Sequence, residues 1–256
     1  MGLIQTVKNI AKKSSALRKI HLKLHVSRQI LSATGPRWEL IRLFHTVRPY
    51  TMVSNESLRN VYELAWDVER RGLAGAFVEC GVWKGGCSAV MAYVRQKAGS
   101  RRPQWLFDSF EGLPEPIPAD GAKAEEYSGN RTSGRMLPVG QLVASIDDVR
   151  EVFFKRLKLD EAGVRIRKGW FQDTLPAARE EVGNIALLRL DGDWYESTRV
   201  CLENLYDRVV SGGYVVIDDY GHWEGCQKAV DEFFKARDIR VDLKTVDYSA
   251  RYFKKP

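Results

Sequence analysis

Two pairs of aspartates carry the strongest chemical signal in the sequence. In LLRLDGDWYEST an apolar run ends at Asp191 and Asp193, and in GGYVVIDDYGHW the next run ends at Asp218 and Asp219. If these runs are neighbouring parallel strands, Asp191 and the Asp218–Asp219 pair meet at one edge of a sheet, where unneutralised carboxylates repel. With no cysteine or histidine set at ligand spacing, oxygen ligands alone point to Mg²⁺ or a similar hard divalent ion, not zinc. One aspartate at a strand-to-helix junction is more often a helix cap; two clusters on adjacent strands favour the metal.

Two earlier strand ends supply a second kind of chemistry. AFVECGVWKGGCSAV runs through Glu79, turns at Gly81 and reaches Gly85 and Gly86 where a helix should begin. Glycines let the backbone approach a ligand closely, and a helix N-terminus offers unpaired amides. The spacing is neither GxGxxG nor a Walker loop, so a dinucleotide fingerprint and a phosphate-binding loop both fit poorly. WLFDSFEGLP then places Asp108 at the end of the next strand, where a carboxylate can accept both hydroxyls of a ribose or cap the following segment. Two carboxylates at adjacent strand ends favour an adenosyl ligand without phosphates. Among the remaining residues, Trp194-Tyr195 could stack on a sugar or pack in the core. His222 could act as a base but reads more readily as a helix-start residue near the acceptor, and Trp66 and Trp105 read as core.

Positioning these residues requires an α/β fold around a mostly parallel sheet. The apolar runs predict strands over 76–80, 104–107, 164–167, 185–190 and 213–217, with helices over 86–97, 141–158, 176–182, 196–209 and 224–236. The closely spaced runs 241–246 and 251–254 must form a hairpin, which gives the sheet an antiparallel edge. Residues 111–140, rich in Gly, Pro and polar residues, read as a long lid loop.

The 256 residues hold 40 Lys and Arg against 33 Asp and Glu, a net charge of +7. Seven cations precede residue 30 and the first acidic residue is Glu39, so the excess belongs to an N-terminal arm and the body is balanced. Leu3, Val7, Ile10, Leu17, Ile20, Leu24 and Leu31 recur at helical intervals with the lysines on another side. Residues 1–50 are therefore predicted as a basic amphipathic helical arm, and residues 51–256 as the catalytic domain. Residues 1–30 fit either peripheral contact with an anionic membrane surface or packing on a protein partner. No aromatic residue interleaves the arm's charges before Trp38, so nucleic acid is not an expected partner. The four widely spaced cysteines, with no spanning segment and no secretory signal, predict a cytoplasmic protein with reduced thiols.

The motifs ECGVWKGG, FDSFEGLP, GWFQDTLP, LDGDWYES and IDDYGHWEGCQKAVDEF together resemble the macrocin O-methyltransferase (TylF/MycF-type) family from about residue 51 to 254. The resemblance implies a Rossmann-like class I fold that uses S-adenosyl-L-methionine and Mg²⁺ to methylate a sugar hydroxyl of a glycan or glycoside, and a homodimer. It implies that Glu79, Gly81, Trp83, Gly85 and Gly86 lie along the methionine and ribose of the cofactor, that Asp108 and Ser109 hold the ribose, and that Trp170 and Phe171 sit near the adenine. It implies Asp191, Asp218 and Asp219 as metal ligands, Asp191 also as general base, and Thr51-Met52 as a segment closing over the cofactor. His222-Trp223 and the 111–140 segment depart from the family pattern, which bears on the acceptor. A catechol-type metal-dependent methyltransferase and a non-catalytic, membrane-recruited member of the fold are the alternative readings.

Overall fold

The computed structural model describes residues 37–256, so the predicted basic helix over residues 1–30 lies outside the described residues. Seven strands form one sheet: β1 (Ala76–Cys80), β2 (Gln104–Asp108), β3 (Val164–Lys168), β4 (Ile185–Leu190), β5 (Val209–Ile217), β6 (Lys244–Thr245) and β7 (Arg251–Lys254). Their order is β3-β2-β1-β4-β5-β7-β6. The first five are parallel to their neighbours, and β7 is antiparallel to both β5 and β6. The chain leaves the sheet at the β3 edge and re-enters beside β1, which opens a crevice at the carboxyl ends of β1 and β4. Both of these strands are buried along their whole length, the reason they read as continuous apolar runs interrupted only by Glu79 and Arg189.

The helices are α1 (Arg37–Val47), α2 (Asn55–Arg70), α3 (Gly86–Lys97), α4 (Gly121–Tyr127), α5 (Ile146–Arg150), α6 (Phe171–Val182), α7 (Tyr195–Leu205) and α8 (Glu224–Ala236). Side chains of α1, α2, α3 and α5 form the core on one face of the sheet, and those of α6, α7 and α8 form the core on the other. No helix among the described residues is long and apolar enough to cross a membrane.

Several boundaries differ from the sequence expectation, each for a local reason. Leu40, Leu43, Phe44 and Val47 of α1 are buried against the body, so the last part of the predicted arm packs as part of the main core. Helix α6 starts at Phe171 rather than at Pro176. The carbonyl of Trp170 accepts from the amides of Asp173 (3.1 Å) and Thr174 (3.0 Å), and Pro176 then removes just one backbone donor. Residues 141–158 shorten to α5 plus a π-helical stretch over Glu151–Arg156, because Ser145 and Asp148 form a capping box that starts the helix at Ile146. Residues 111–140 are a folded wall, not an open loop. They contain α4, and they are tied to the body where Trp194 Nε1 donates to the Pro114 carbonyl (2.9 Å) and the Tyr195 amide donates to Asp120 Oδ1 (2.6 Å).

Candidate active site

The turn after β1 is built around backbone approach. A Cβ at Gly81, whose φ is +86°, would lie 1.6 Å from the Asp191 carbonyl oxygen, so nothing but glycine lets β1 run this close to the end of β4. Gly85, in the left-handed region, caps α3, and a Cβ at Gly86 would press on Thr51 and Tyr50. Gly85 and Gly86 therefore pack the turn from behind, and Gly81 and Trp83 line a cavity of about 400 Å³ in front of it. Asp108 holds this turn in place. Its Oδ2 accepts from the amides of Val82 (2.7 Å) and Trp83 (2.8 Å), and its Oδ1 accepts from the amide of Phe110 (2.6 Å). Burial raises its pKa and the three amides pull it back. Ser109, Trp170 and Phe171 line the same cavity, as do Thr51 and Met52.

The opposite side of the cavity is built from charge. Glu79 pairs across the sheet with Arg189, and Arg189 with Val216; the ladder continues one step to Asp191 and Asp218 through the Asp191 amide to the Cys80 carbonyl and the Asp218 amide to the Leu190 carbonyl. Alternation along strands puts Glu79, Arg189, Asp191 and Asp218 on one face. Arg189, 1% exposed, donates through Nη1 to Glu79 Oε1 and to Asp191 Oδ2, both at 2.7 Å, and its Nη2 lies 2.5 Å from Asp218 Oδ1. Asp219, one residue on, turns the other way and accepts from the Asp193 amide (3.1 Å). Asp193 adopts a left-handed φ of +58° and its Oδ1 accepts from Trp223 Nε1 (2.9 Å).

Asp191, Asp193 and Asp219 thus bring oxygens within 4.8 Å of one another. Of the three aspartates that the sequence implied as ligands, Asp191 and Asp219 converge there, Asp218 stands alongside facing Arg189, and Asp193 joins the group. Burial pushes Asp218 up to about 7 and Asp193 up to about 8, with neighbouring carboxylates adding to both, and it raises Asp219 well above the usual range. Buried carboxylates that hold protons this tightly are short of positive charge, and an all-oxygen donor set of this kind fits a hard divalent cation. Cys87 also lines the cavity, but burial holds its thiol protonated.

The mouth of the cavity is aromatic. Tyr127, Trp223, His222 and Tyr248 follow one another in edge-to-face contacts, with Tyr248 72% exposed. His222 does reach the site. Lys123 Nζ lies 3.0 Å from its Nε2, and burial together with that lysine lowers its pKa. Trp194 and Tyr195 are not a sugar-stacking pair: Trp194 is buried against Pro114, and the Tyr195 hydroxyl donates to Glu232 (2.6 Å) outside the cavity. The sequence reading missed Arg189, Tyr127 and Tyr248. A charged residue inside the run IALLRL was the available sign of Arg189; nothing in the sequence linked Tyr127 to Tyr248.

The profile of the family described as Macrocin-O-methyltransferase (TylF) matches residues 6–255, nearly the whole chain. The chain belongs to the macrocin-O-methyltransferase family. The match includes most of the N-terminal region that the motifs had left unexplained. This family member is 38% identical over 207 residues to the demethyldecarbamoylnovobiocin O-methyltransferase of Streptomyces niveus, covering 80% of the chain and 76% of that relative. It is 38% identical over 199 residues to the 8-demethyl-8-(2,3-dimethoxy-alpha-L-rhamnosyl)-tetracenomycin-C 4'-O-methyltransferase of Streptomyces olivaceus, covering 77% and 72%. The solved structure of the O-methyltransferase NovP superposes with a TM-score of 0.69 at 38% identity, over 80% of this chain and 82% of that one. The macrocin-O-methyltransferase family member described here is accordingly an O-methyltransferase on the class I S-adenosylmethionine-dependent fold.

Proposed function

We propose that the protein transfers the methyl group of S-adenosylmethionine to a sugar hydroxyl of a glycan or glycoside, assisted by Mg²⁺. The observation that carries this reading is the convergence of Asp191, Asp193 and Asp219 at the end of β4 and β5, across the cavity from the glycine turn. Relatives named for O-methylation of a rhamnosyl-bearing compound and of a novobiocin precursor support a glycoside as acceptor.

Methyl transfer is a displacement in which acceptor oxygen, methyl and sulfur must lie in line, so orientation is the first demand on the site. In this reading Gly81 and Trp83 border the donor, Trp170 and Phe171 flank its adenine, and Asp108 fixes the turn that shapes its pocket. Ser109 completes the ribose side. Asp191, Asp193 and Asp219 would hold the cation, with Asp218 as the adjoining carboxylate. A divalent cation held by these carboxylates would supply Lewis acidity to a sugar hydroxyl. In this reading Asp191, whose Oδ2 accepts from Arg189, takes the hydroxyl proton through its other oxygen. The aromatic mouth gives the acceptor ring apolar surface to rest on.

The test is transfer of labelled methyl from S-adenosylmethionine to a panel of simple glycosides with Mg²⁺ or with EDTA. Transfer that EDTA abolishes and Mg²⁺ restores is expected. Transfer indifferent to EDTA would reject the metal, and transfer confined to aromatic diols would reject the sugar. The family resemblance also supports a homodimer, and the seven cations before residue 30 support contact with an anionic membrane surface; sedimentation and liposome flotation test these.

A further inference from the structure

We propose that Ser88, Glu79 and Arg189 form a buried positioning relay that aims the Asp191 and Asp218 carboxylates into the cavity. The inference rests on the reading of Asp191 as the proton acceptor. Ser88 on α3, Glu79 on β1 and Arg189 on β4 are each no more than 1% exposed. The Ser88 hydroxyl donates to Glu79 Oε2, Arg189 Nη1 donates to Glu79 Oε1, and the same guanidinium reaches Asp191 Oδ2 and Asp218 Oδ1. Both oxygens of Glu79 are engaged by protein, so one part it plays is to anchor Arg189.

Stability alone does not account for this chain of contacts. A buried ion pair costs desolvation that a well-packed apolar pair avoids, and replacing such pairs with apolar residues is often neutral or stabilising. The chain is also one-sided. It begins under α3, in the packed interior, and its far end is the pair of carboxylates at the cavity wall. Nη1 of Arg189 donates to both Glu79 and Asp191, and Nη2 adds a close ion pair with Asp218, an arrangement that suits a planar guanidinium better than an ammonium. Arg189 hydrogen-bonds Oδ2 of Asp191 and pairs by charge with Oδ1 of Asp218, and the other oxygen of each is left for whatever the cavity holds.

Arg189→Lys keeps the charge and removes the fork; Ser88→Ala loosens Glu79 from the far side. Each variant is measured for S-adenosylhomocysteine affinity by calorimetry, for Mn²⁺ affinity by electron paramagnetic resonance, and for kcat and KM with the best glycoside. A displacement of the reacting group by an ångström costs on the order of 100-fold in rate. Arg189→Lys should lose about that much kcat, with S-adenosylhomocysteine affinity and acceptor KM within about threefold of wild type, and Ser88→Ala should lose several-fold in the same pattern. A folded Arg189→Lys with kcat within threefold of wild type would overturn the proposal, as would losses that track S-adenosylhomocysteine affinity. If Arg189→Lys does not fold, Glu79→Gln combined with Arg189→Gln removes one charge of each sign and gives the same readout. If the wild type methylates no glycoside, the acceptor reading fails by itself. The relay is then judged on Mn²⁺ affinity, which Arg189→Lys should weaken at least tenfold and which an unchanged value would refute.

Discussion

The two sides of the cavity solve the problem of buried polar groups in opposite ways. At the ends of β1 and β2, the carboxylate of Asp108 is answered by the protein's own backbone: it takes three amides, and a glycine turn closes around it. At the ends of β4 and β5, a single guanidinium contacts Glu79, Asp191 and Asp218, and burial leaves Asp193, Asp218 and Asp219 with raised pKa values. The first side is complete before any ligand arrives, which suits recognition of a constant donor. The second carries more negative charge than the protein neutralises, which suits a side that acquires a cation and performs proton transfer. A pocket can thus be preorganised in shape on one wall and held in electrostatic deficit on the other.

The largest effect should come from breaking the second side alone. Asp191→Asn is expected to lower kcat by about 10²–10⁴-fold, the usual contribution of a positioned base, and S-adenosylhomocysteine affinity should stay within a few-fold by calorimetry. Lost cofactor affinity or lost folding would mean that the two sides are not separable.

Breaking the first side should do the reverse. Asp108→Asn replaces Oδ2 or Oδ1 by a donor and strands one or two buried amides, a loss of about 1–3 kcal/mol in chemical denaturation. Cofactor affinity should fall with it, because Val82 and Trp83 no longer hold the turn. Retained stability and affinity would show that the amides find other partners.

Protonation sharpens the contrast. Carboxyls whose native pKa is raised bind more protons folded than unfolded, so their stabilisation is full below about pH 4 and is lost as pH rises through the native values, about 7 for Glu79 and Asp218 and about 8 for Asp193. His222, with a lowered pKa, acts in the opposite sense near its ordinary range and does not offset the loss above pH 7. The cation-free protein should therefore lose melting temperature between pH 6 and 8, by several degrees, and millimolar Mg²⁺ should restore it. A flat profile in EDTA would remove the electrostatic deficit from the account.

The smallest effect is a gain. Asp193→Asn keeps the acceptor for Trp223 Nε1 and mimics the protonated acid, so without metal it should stabilise by about 1 kcal/mol or more at pH 8, less as pH falls, and by nothing below about pH 4. Destabilisation at pH 8 would show that Asp193 is already compensated.

Much of the scaffold was legible because burial writes itself into composition. Strands β1, β4 and β7 and helices α3 and α8 match their predicted ranges, since their boundaries are set by local signals such as the Gly85 cap or a break in apolar pattern. Where a boundary depended on a partner distant in sequence, the reading slipped: α1 reads as part of a basic arm until Phe44 and Val47 find the core, and 111–140 reads as loop until Asp120 and Pro114 find α7 and Trp194.

The site divides along the same line. The sequence by itself determined which carboxylates stand at strand ends, since an aspartate directly after an apolar run can hardly be elsewhere. Tertiary structure alone decided how they share the space. Register and the twofold alternation of a strand sent Asp218 towards Arg189 and Asp219 towards Asp193, and β1–β4 pairing set Glu79 beside Arg189. Side-chain direction depends on which strands are neighbours and in what register, and those are properties of the folded sheet rather than of any local stretch of chain.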